Sequence, residues 1–284
     1  MAIKKIGVVG CGLMGRGIAE VSAKSGYDVV ASEINKELLD KGMAAINQSL
    51  SKAVEKGKIS ESDKAAALGK IKGTIDMGDF KDCDLVVEAA IENMDLKKKI
   101  FVDLDKICKP DAILSTNTSC LSVMNVAAVT KRPDKVLGCH FFNPVPIMKL
   151  LELVKTITTS KATMDAAAEW GKSLGKTVII APDRPGFIVN RAYMPYIVES
   201  IEMLENGVAS KEDIDTGMQL GLNYPMGPFT LADLAGLDTI LFVLDAMYAE
   251  TRSPKFVAPV LLRKMVTAGH LGRKSGKGFY DYNK

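Results

Sequence analysis

The stretch IGVVGCGLMGRGIAEVSAKSGYDVV, residues 6–30, constrains the fold more than any other part of the chain. A short β-branched run ends in a glycine turn, a helical pattern opens on the last of the glycines, and a second β-branched run follows. Gly10, Gly12 and Gly15 therefore stand in G-x-G-x-x-G with a strand before and a helix after, the context in which that spacing has a physical meaning. Gly10 suits the tight turn, Gly12 lets a pyrophosphate reach the backbone, and Gly15 lets the helix pack closely on the strand. Backbone amides around Cys11, Leu13 and Met14, at the start of the helix, would then attract phosphate oxygens.

The second run sharpens this reading. DVVAS ends just before Glu33, near the offset of roughly 20 residues at which an acidic side chain binds the adenosine ribose diol. A carboxylate there accepts from both ribose hydroxyls and repels a 2′-phosphate, which favours NAD(H) over NADP(H). Arg16 and Lys36 lie nearby in sequence and oppose that preference. The bland alternative is a solvated carboxylate at a strand end.

Alternation continues well beyond the first unit. Candidate strands are 6–10, 28–32, 84–90, 112–116, 135–139, 150–157 and 177–181, with helical patterns over 13–25, 36–56 and 94–109. Strands alternating with helices of this length give βαβ units and a parallel sheet. The near-continuous apolar character of the strands fits a sheet covered on both faces. Character changes at APDRPGF, residues 181–187, beyond which helical periodicity replaces the strand pattern. The fold expected is α/β: a Rossmann-type, doubly wound, mostly parallel sheet over 1–183, followed by an all-α domain over 184–284 that serves the substrate cleft and dimerisation. Several helices of the second part are apolar around much of their circumference, which predicts a homodimer or higher homo-oligomer.

Composition excludes more than it assigns. A net charge of +3, with both signs interspersed, gives no nucleic-acid footprint. The five cysteines form no CxxC pair and show no metal-ligand spacing, so reduced thiols and no metal are expected. No apolar run approaches a membrane span. MAIKKIGVVG reads as a strand entering a glycine turn rather than as a leader, and the expected setting is soluble and cytoplasmic.

The chain has two histidines. His140 stands in GCHFFNPVP, where the strand pattern gives way to prolines 144 and 146, so its ring is expected beyond the carboxyl end of a strand, where open α/β sheets take their ligands. In the next apolar run, IMKLLELV, Glu152 sits between leucines. A carboxylate there is costly to bury without a partner, and an imidazole would fix the tautomer while the carboxylate favours the protonated ring. Lys149 and Lys155 are the other candidate partners for Glu152. His270, in AGHLGRK, has no such setting and is given no role.

Seven segments, GCGLMGRGIAEVSAKSGYDVV, VVEAAIEN, STNTSCLSV, HFFNPVPIMKLLELV, DRPGFIVNR, NYPMGPFTLADLAGLD and GRKSGKGFYDY, occur in the order seen in the 3-hydroxyacyl-CoA dehydrogenases. The chain resembles that family along essentially its whole length, the short bacterial 3-hydroxybutyryl-CoA type above all. The resemblance implies interconversion of (S)-3-hydroxybutyryl-CoA and acetoacetyl-CoA with NAD(H), within fatty-acid and butanoate metabolism. By the same likeness, His140 matches the base, Glu152 its orienting carboxylate, Ser119 a serine touching the nicotinamide region and the substrate oxygen, and Asn190 an active-site asparagine. Glu92, Lys97, Asn143 and Lys274 match further cofactor contacts, and Ser49 and Lys56 match contacts to coenzyme A. On residues alone, Ser119 could instead cap the following helix, and Asn190 could be a polar position on an amphipathic helix.

Two rivals stand beside this reading. Other Rossmann-plus-helical dehydrogenases, of the β-hydroxyacid or 6-phosphogluconate type, rely on a lysine, and the histidine–glutamate pair argues against them. A nucleotide-binding sensor without turnover is disfavoured by the full set Ser119, His140, Glu152 and Asn190.

Overall fold

In a computed structural model, which describes residues 3–283, the first of two units ends at Arg184 and the second begins at Pro185. The first alternates strand and helix: β1 (Lys5–Val9), α1 (Leu13–Lys24), β2 (Asp28–Ser32), α2 (Lys36–Glu55), α3 (Glu61–Gly69), β3 (Ile71–Thr74), β4 (Leu85–Glu88), α4 (Met94–Ile107), β5 (Ile113–Thr116), α5 (Val123–Ala127), β6 (Val136–Phe141), β7 (Leu150–Lys155), α6 (Lys161–Ser173) and β8 (Thr177–Pro182). They form one sheet in the order β3-β2-β1-β4-β5-β6-β7-β8. Every neighbouring pair is parallel except β6 and β7, so the last two strands run against the rest. The order reverses between β1 and β4, and this switch point is where a doubly wound sheet opens its ligand crevice.

The core explains the pattern. Ile6, Val8, Val29, Ala31, Leu85 and Val87 are buried strand residues, and α1 lays Ile18 and Ala19 against them. Trp170 of α6 meets Phe141 edge-on at 5.8 Å between ring centres.

The expected mostly parallel sheet is present, and the differences are local. The strand expected at 135–139 runs on to Phe141, because pairing with β7 carries the ladder through His140 and Phe141. His140 thus lies inside the strand, one residue from its end. The strand expected at 84–90 stops at Glu88, and the one expected at 150–157 stops at Lys155. α3, β3 and α6 have no counterpart in the sequence reading.

The second unit is helical: α7 (Val189–Glu205), α8 (Lys211–Leu222), α9 (Pro228–Ala235), α10 (Leu237–Thr251) and α11 (Val260–Thr267). The continuous helical pattern LADLAGLDTILFVLDAMYAE is split in two by Gly236, whose φ of +97° no other residue adopts cheaply. Buried Asp233 fastens the C-terminal segment by accepting from the amides of Phe279 and Tyr280, both at 2.9 Å.

Candidate active site

The glycine loop is built as its spacing requires. Gly10 has φ +90°. A Cβ on Gly15 would lie 1.7 Å from the Gly10 carbonyl oxygen, so only glycine fits where α1 crosses the end of β1. A Cβ on Gly12 would meet nothing within 4 Å. Gly12 is the N-cap of α1 and has no side-chain cap, so the first amides of the helix are presented by backbone alone. A pinched inner glycine and an open outer one make a cradle that fits a pyrophosphate.

Glu33, just past β2, faces this loop. Its Oε1 accepts the Cys11 amide at 2.8 Å, and its Oε2 accepts the Ile34 amide at 3.1 Å. The carboxylate therefore braces the glycine loop as well as facing the position expected of the ribose. Burial, and then the charge of Glu33, push the Cys11 thiol up to about 11, which keeps it a neutral apolar filler.

At the ends of β4 and β5 lies a buried charge cluster. Lys97, on the first turns of α4, places Nζ 2.8 and 3.0 Å from the two oxygens of Glu88 and 3.2 Å from Glu92 Oε2. Glu88 also accepts from the Ala90 amide and the Thr116 hydroxyl, both at 2.7 Å. Glu92 Oε1 accepts the Ser119 amide at 2.7 Å and the Thr118 hydroxyl at 2.9 Å. Glu92 thus holds the loop that carries Ser119. Lys97 is only 1 % exposed, so its ammonium is committed to carboxylates. Glu88 drew no attention in the sequence because a single glutamate at a strand end has no motif of its own.

Ser119 does not cap the next helix. The first amides of α5, those of Val123 and Met124, donate to Asp183 at 3.0 and 2.7 Å, so the aspartate of DRPGF is the cap. Asn117 ties the same loop to β6 by accepting the Phe141 amide at 2.9 Å.

His140 and Glu152 meet across β6 and β7. They are paired residues in the antiparallel register, and Nδ1 lies 2.7 Å from Oε2. The histidine is 4 % exposed and the carboxylate fully buried. Lys149 and Lys155 lie on either side of Glu152 in sequence, and the carboxylate is turned to the imidazole. Phe142 packs on the His140 ring at 4.5 Å between centres. Beyond it the Asn143-Pro144 bond is cis, and Lys176 clamps the loop, donating to the carbonyls of Val145 and Met148 at 2.5 and 2.7 Å.

Asn143 lines a cleft of about 260 Å³ together with Leu13, Arg16, Ser49 and Lys52. Glu20 is part of its wall. Burial raises the Glu20 carboxyl above its ordinary range, against the opposing hydrogen bond from Ser49. Lys56 is the exposed C-cap of α2, two helical turns from Ser49. In the second unit, Asn190 lies at the start of α7. Lys274 donates to Asp238 of α10 at 2.7 Å. The His270 amide donates to the Met265 carbonyl at 3.0 Å, and the residue acquires no further role. Among the described residues no group of carboxylates, thiols and imidazoles could hold a metal, and no helix is long and apolar enough to cross a membrane.

Residues 5–184 match the NAD binding domain of 3-hydroxyacyl-CoA dehydrogenase, and residues 186–282 match its C-terminal domain. A 3-hydroxybutyryl-CoA dehydrogenase of Clostridioides difficile is 47 % identical over 99 % of this chain and all of its own. One from Mycobacterium tuberculosis is 46 % identical over 99 % of both chains. Among solved structures, the (S)-3-hydroxybutyryl-CoA dehydrogenase of Ralstonia eutropha covers both chains completely, with a TM-score of 0.95 and 46 % identity. With both domains matched end to end on a sheet, glycine loop and histidine–carboxylate pair of this kind, the chain belongs to the 3-hydroxyacyl-CoA dehydrogenase family.

Proposed function

We propose that this protein interconverts (S)-3-hydroxybutyryl-CoA, or a similar short-chain 3-hydroxyacyl-CoA, and acetoacetyl-CoA with NAD(H). The observation that carries the reading is the buried His140–Glu152 pair, on the same sheet as a glycine loop shaped for a pyrophosphate. The dinucleotide, when bound, supplies the hydride acceptor or donor. His140 takes the hydroxyl proton at Nε2 as the hydride leaves the third carbon, and it returns that proton to the developing alkoxide in the reverse direction. Glu152 holds the Nδ1 proton, which fixes the tautomer and balances the imidazolium that forms. Ser119 donates to the reacting oxygen, held in place by Glu92. Asn190 keeps the role given by the resemblance, a hydrogen bond to the substrate oxygen or thioester carbonyl.

Glu33 favours NAD(H) over NADP(H) by binding the ribose diol. Gly10, Cys11, Gly12, Leu13, Met14 and Gly15 bind the pyrophosphate through the backbone, and Glu92, Lys97, Asn143 and Lys274 complete the cofactor site. Ser49 and Lys56 bind coenzyme A. Support for the first of these comes from the cleft that Ser49 shares with Arg16, Lys52 and Asn143, whose two cations and one hydroxyl suit a phosphate. A homo-oligomer in the cytoplasm, joined through the helical unit, completes the proposal. That unit leaves Leu220, Leu222 and Val208 well exposed.

The deciding assay follows NADH absorbance with acetoacetyl-CoA, with longer 3-oxoacyl-CoAs and with free 3-oxo acids, and repeats each with NADPH. Turnover of acetoacetyl-CoA with NADH, far above that of free acids, is expected. Preference for a free acid would hand the assignment to the β-hydroxyacid type.

A further inference from the structure

We infer that the buried cluster Glu88–Lys97–Glu92 carries one uncompensated negative charge and biases the cofactor site toward the cationic, oxidised nicotinamide. The inference rests on the reading of the site as one for NAD(H). One ammonium lies between two carboxylates: 2.8 Å from Glu88 and 3.2 Å from Glu92. The hydrogen-bond partners of those carboxylates are donors. Glu88 accepts from Ala90, Lys97 and Thr116, and Glu92 accepts from Thr118 and Ser119. The arrangement leaves a net negative charge that water screens poorly, since Glu88 is fully buried and Lys97 is 1 % exposed.

Position gives that charge its consequence. Glu88 is the last residue of β4, with Val9 of β1 opposite it on one side and Thr116 of β5 on the other. The cluster therefore sits at the switch point, under the carboxyl ends of the strands where the crevice opens. Glu33, at the end of β2, marks the adenosine side. The other half of a dinucleotide then extends over β4, β5 and β6, toward His140, on the cluster's side of the crevice. Oxidised and reduced nicotinamide have nearly the same size and the same carboxamide hydrogen-bonding group, and they differ chiefly by one positive charge on the ring. A fixed negative charge below them favours the oxidised form, and any contact shared by both forms cancels in the ratio of their affinities.

The test is the ratio of Kd for NAD⁺ to Kd for NADH, measured by calorimetry at fixed salt, in the wild type and three variants. Glu88→Gln removes a negative charge, and the ratio is expected to rise about 6- to 17-fold, the effect of one charge at roughly 10–15 Å with an effective dielectric of about 20. Lys97→Met removes the positive charge, and the ratio is expected to fall by a similar factor. The double variant restores the original net charge and is expected to return the ratio close to wild type. Damage to packing weakens both forms together, so opposite shifts in the two single variants are the signature of charge. Glu92→Gln, at a partly exposed carboxylate, is the arm to use where a core variant does not fold, and it is expected to move the ratio as Glu88→Gln does. Ratios that stay fixed, or that move the same way for Glu88→Gln and Lys97→Met, overturn the inference. A wild type that binds neither form defeats the cofactor reading instead.

Discussion

Glu152 stands directly opposite His140 in the antiparallel ladder of β6 and β7, and its Oε2 lies 2.7 Å from Nδ1. The backbone register itself delivers the carboxylate to the imidazole, so neither side chain depends on a loop for its alignment. With Nδ1 engaged, the proposed function assigns the proton exchange with substrate to Nε2. For His140→Gln, kcat is expected to fall by roughly 10²-fold or more, the scale of general acid–base catalysis, while NADH affinity stays near wild type. Steady-state kinetics and a fluorescence titration check the two halves of the expectation.

Glu152→Gln separates orientation from charge. The amide keeps the size of the side chain, yet it can donate to Nδ1 and so stabilise the tautomer that carries its proton on Nε2. That tautomer cannot accept the substrate's proton. A loss in kcat on the order of 10²-fold or more is expected, with little change in KM for acetoacetyl-CoA. A fall in KM affinity with kcat preserved would assign Glu152 to binding instead.

The sequence discloses this site unevenly, for physical reasons. The β1–loop–α1 unit is legible because its glycines have steric causes: at Gly15 the Gly10 carbonyl leaves no room for a side chain. The His140–Glu152 pair is legible because an acid among leucines requires a partner. Glu88 is not legible, since its partner Lys97 comes from the following helix and its other partner, Thr116, from the neighbouring strand. β3 is missed because only its two end residues are buried and Gly73 interrupts it, so four residues leave no periodic trace. The antiparallel turn of β7 is equally silent, because buried strands have the same apolar composition in either direction.

Gly15 and Gly12 are expected to part company on substitution. Gly15→Ala drives a Cβ into the Gly10 carbonyl at 1.7 Å and should displace α1 from β1, costing several kcal/mol, on the order of the largest single-residue effects. Gly12→Ala meets no atom within 4 Å, and φ there is −70°, so stability is expected to stay within about 1 kcal/mol of wild type. Its methyl group instead occupies the open space the proposed function gives to the pyrophosphate, and NADH affinity should drop at least about tenfold, the scale of one lost charge-assisted contact. Thermal melts beside NADH titrations distinguish a glycine kept for folding from one kept for binding.

Acid stability is expected to depend on Asp84. Burial works against its ionisation, but the Lys109 ammonium and the amides of Lys5 and Lys4, at 2.8 and 2.7 Å, together hold the carboxyl below its usual range. A depressed folded-state value means that the stabilisation is fully present above the unfolded value of about 3.9 and fades as pH falls below it. Asp84→Asn should therefore cost about 1.5–3 kcal/mol near neutrality, the range for hydrogen bonds to a charged group. The gap between wild type and variant should close as pH is lowered through the carboxylate range. Urea melts at a series of pH values measure both, and a gap that widened in acid would contradict the assignment.

Glu33 braces the glycine loop and is also the residue proposed for the ribose diol, and substitutions can divide the two. Its carboxylate accepts the Cys11 amide at 2.8 Å, which braces the glycine loop, and it faces the position assigned to the ribose diol. Glu33→Gln keeps an acceptor for the amide but gives up the charge that repels a 2′-phosphate. Discrimination between NADH and NADPH, taken as the ratio of kcat/KM values, is expected to relax by about tenfold or more, with the melting temperature nearly unchanged. Glu33→Ala removes the brace as well, so the same relaxation should come with weaker binding of both dinucleotides. An unaltered ratio in both variants would leave Glu33 as a loop brace alone, and the preference for NADH would then need another source, with Arg16 and Lys36 the nearest charges to test.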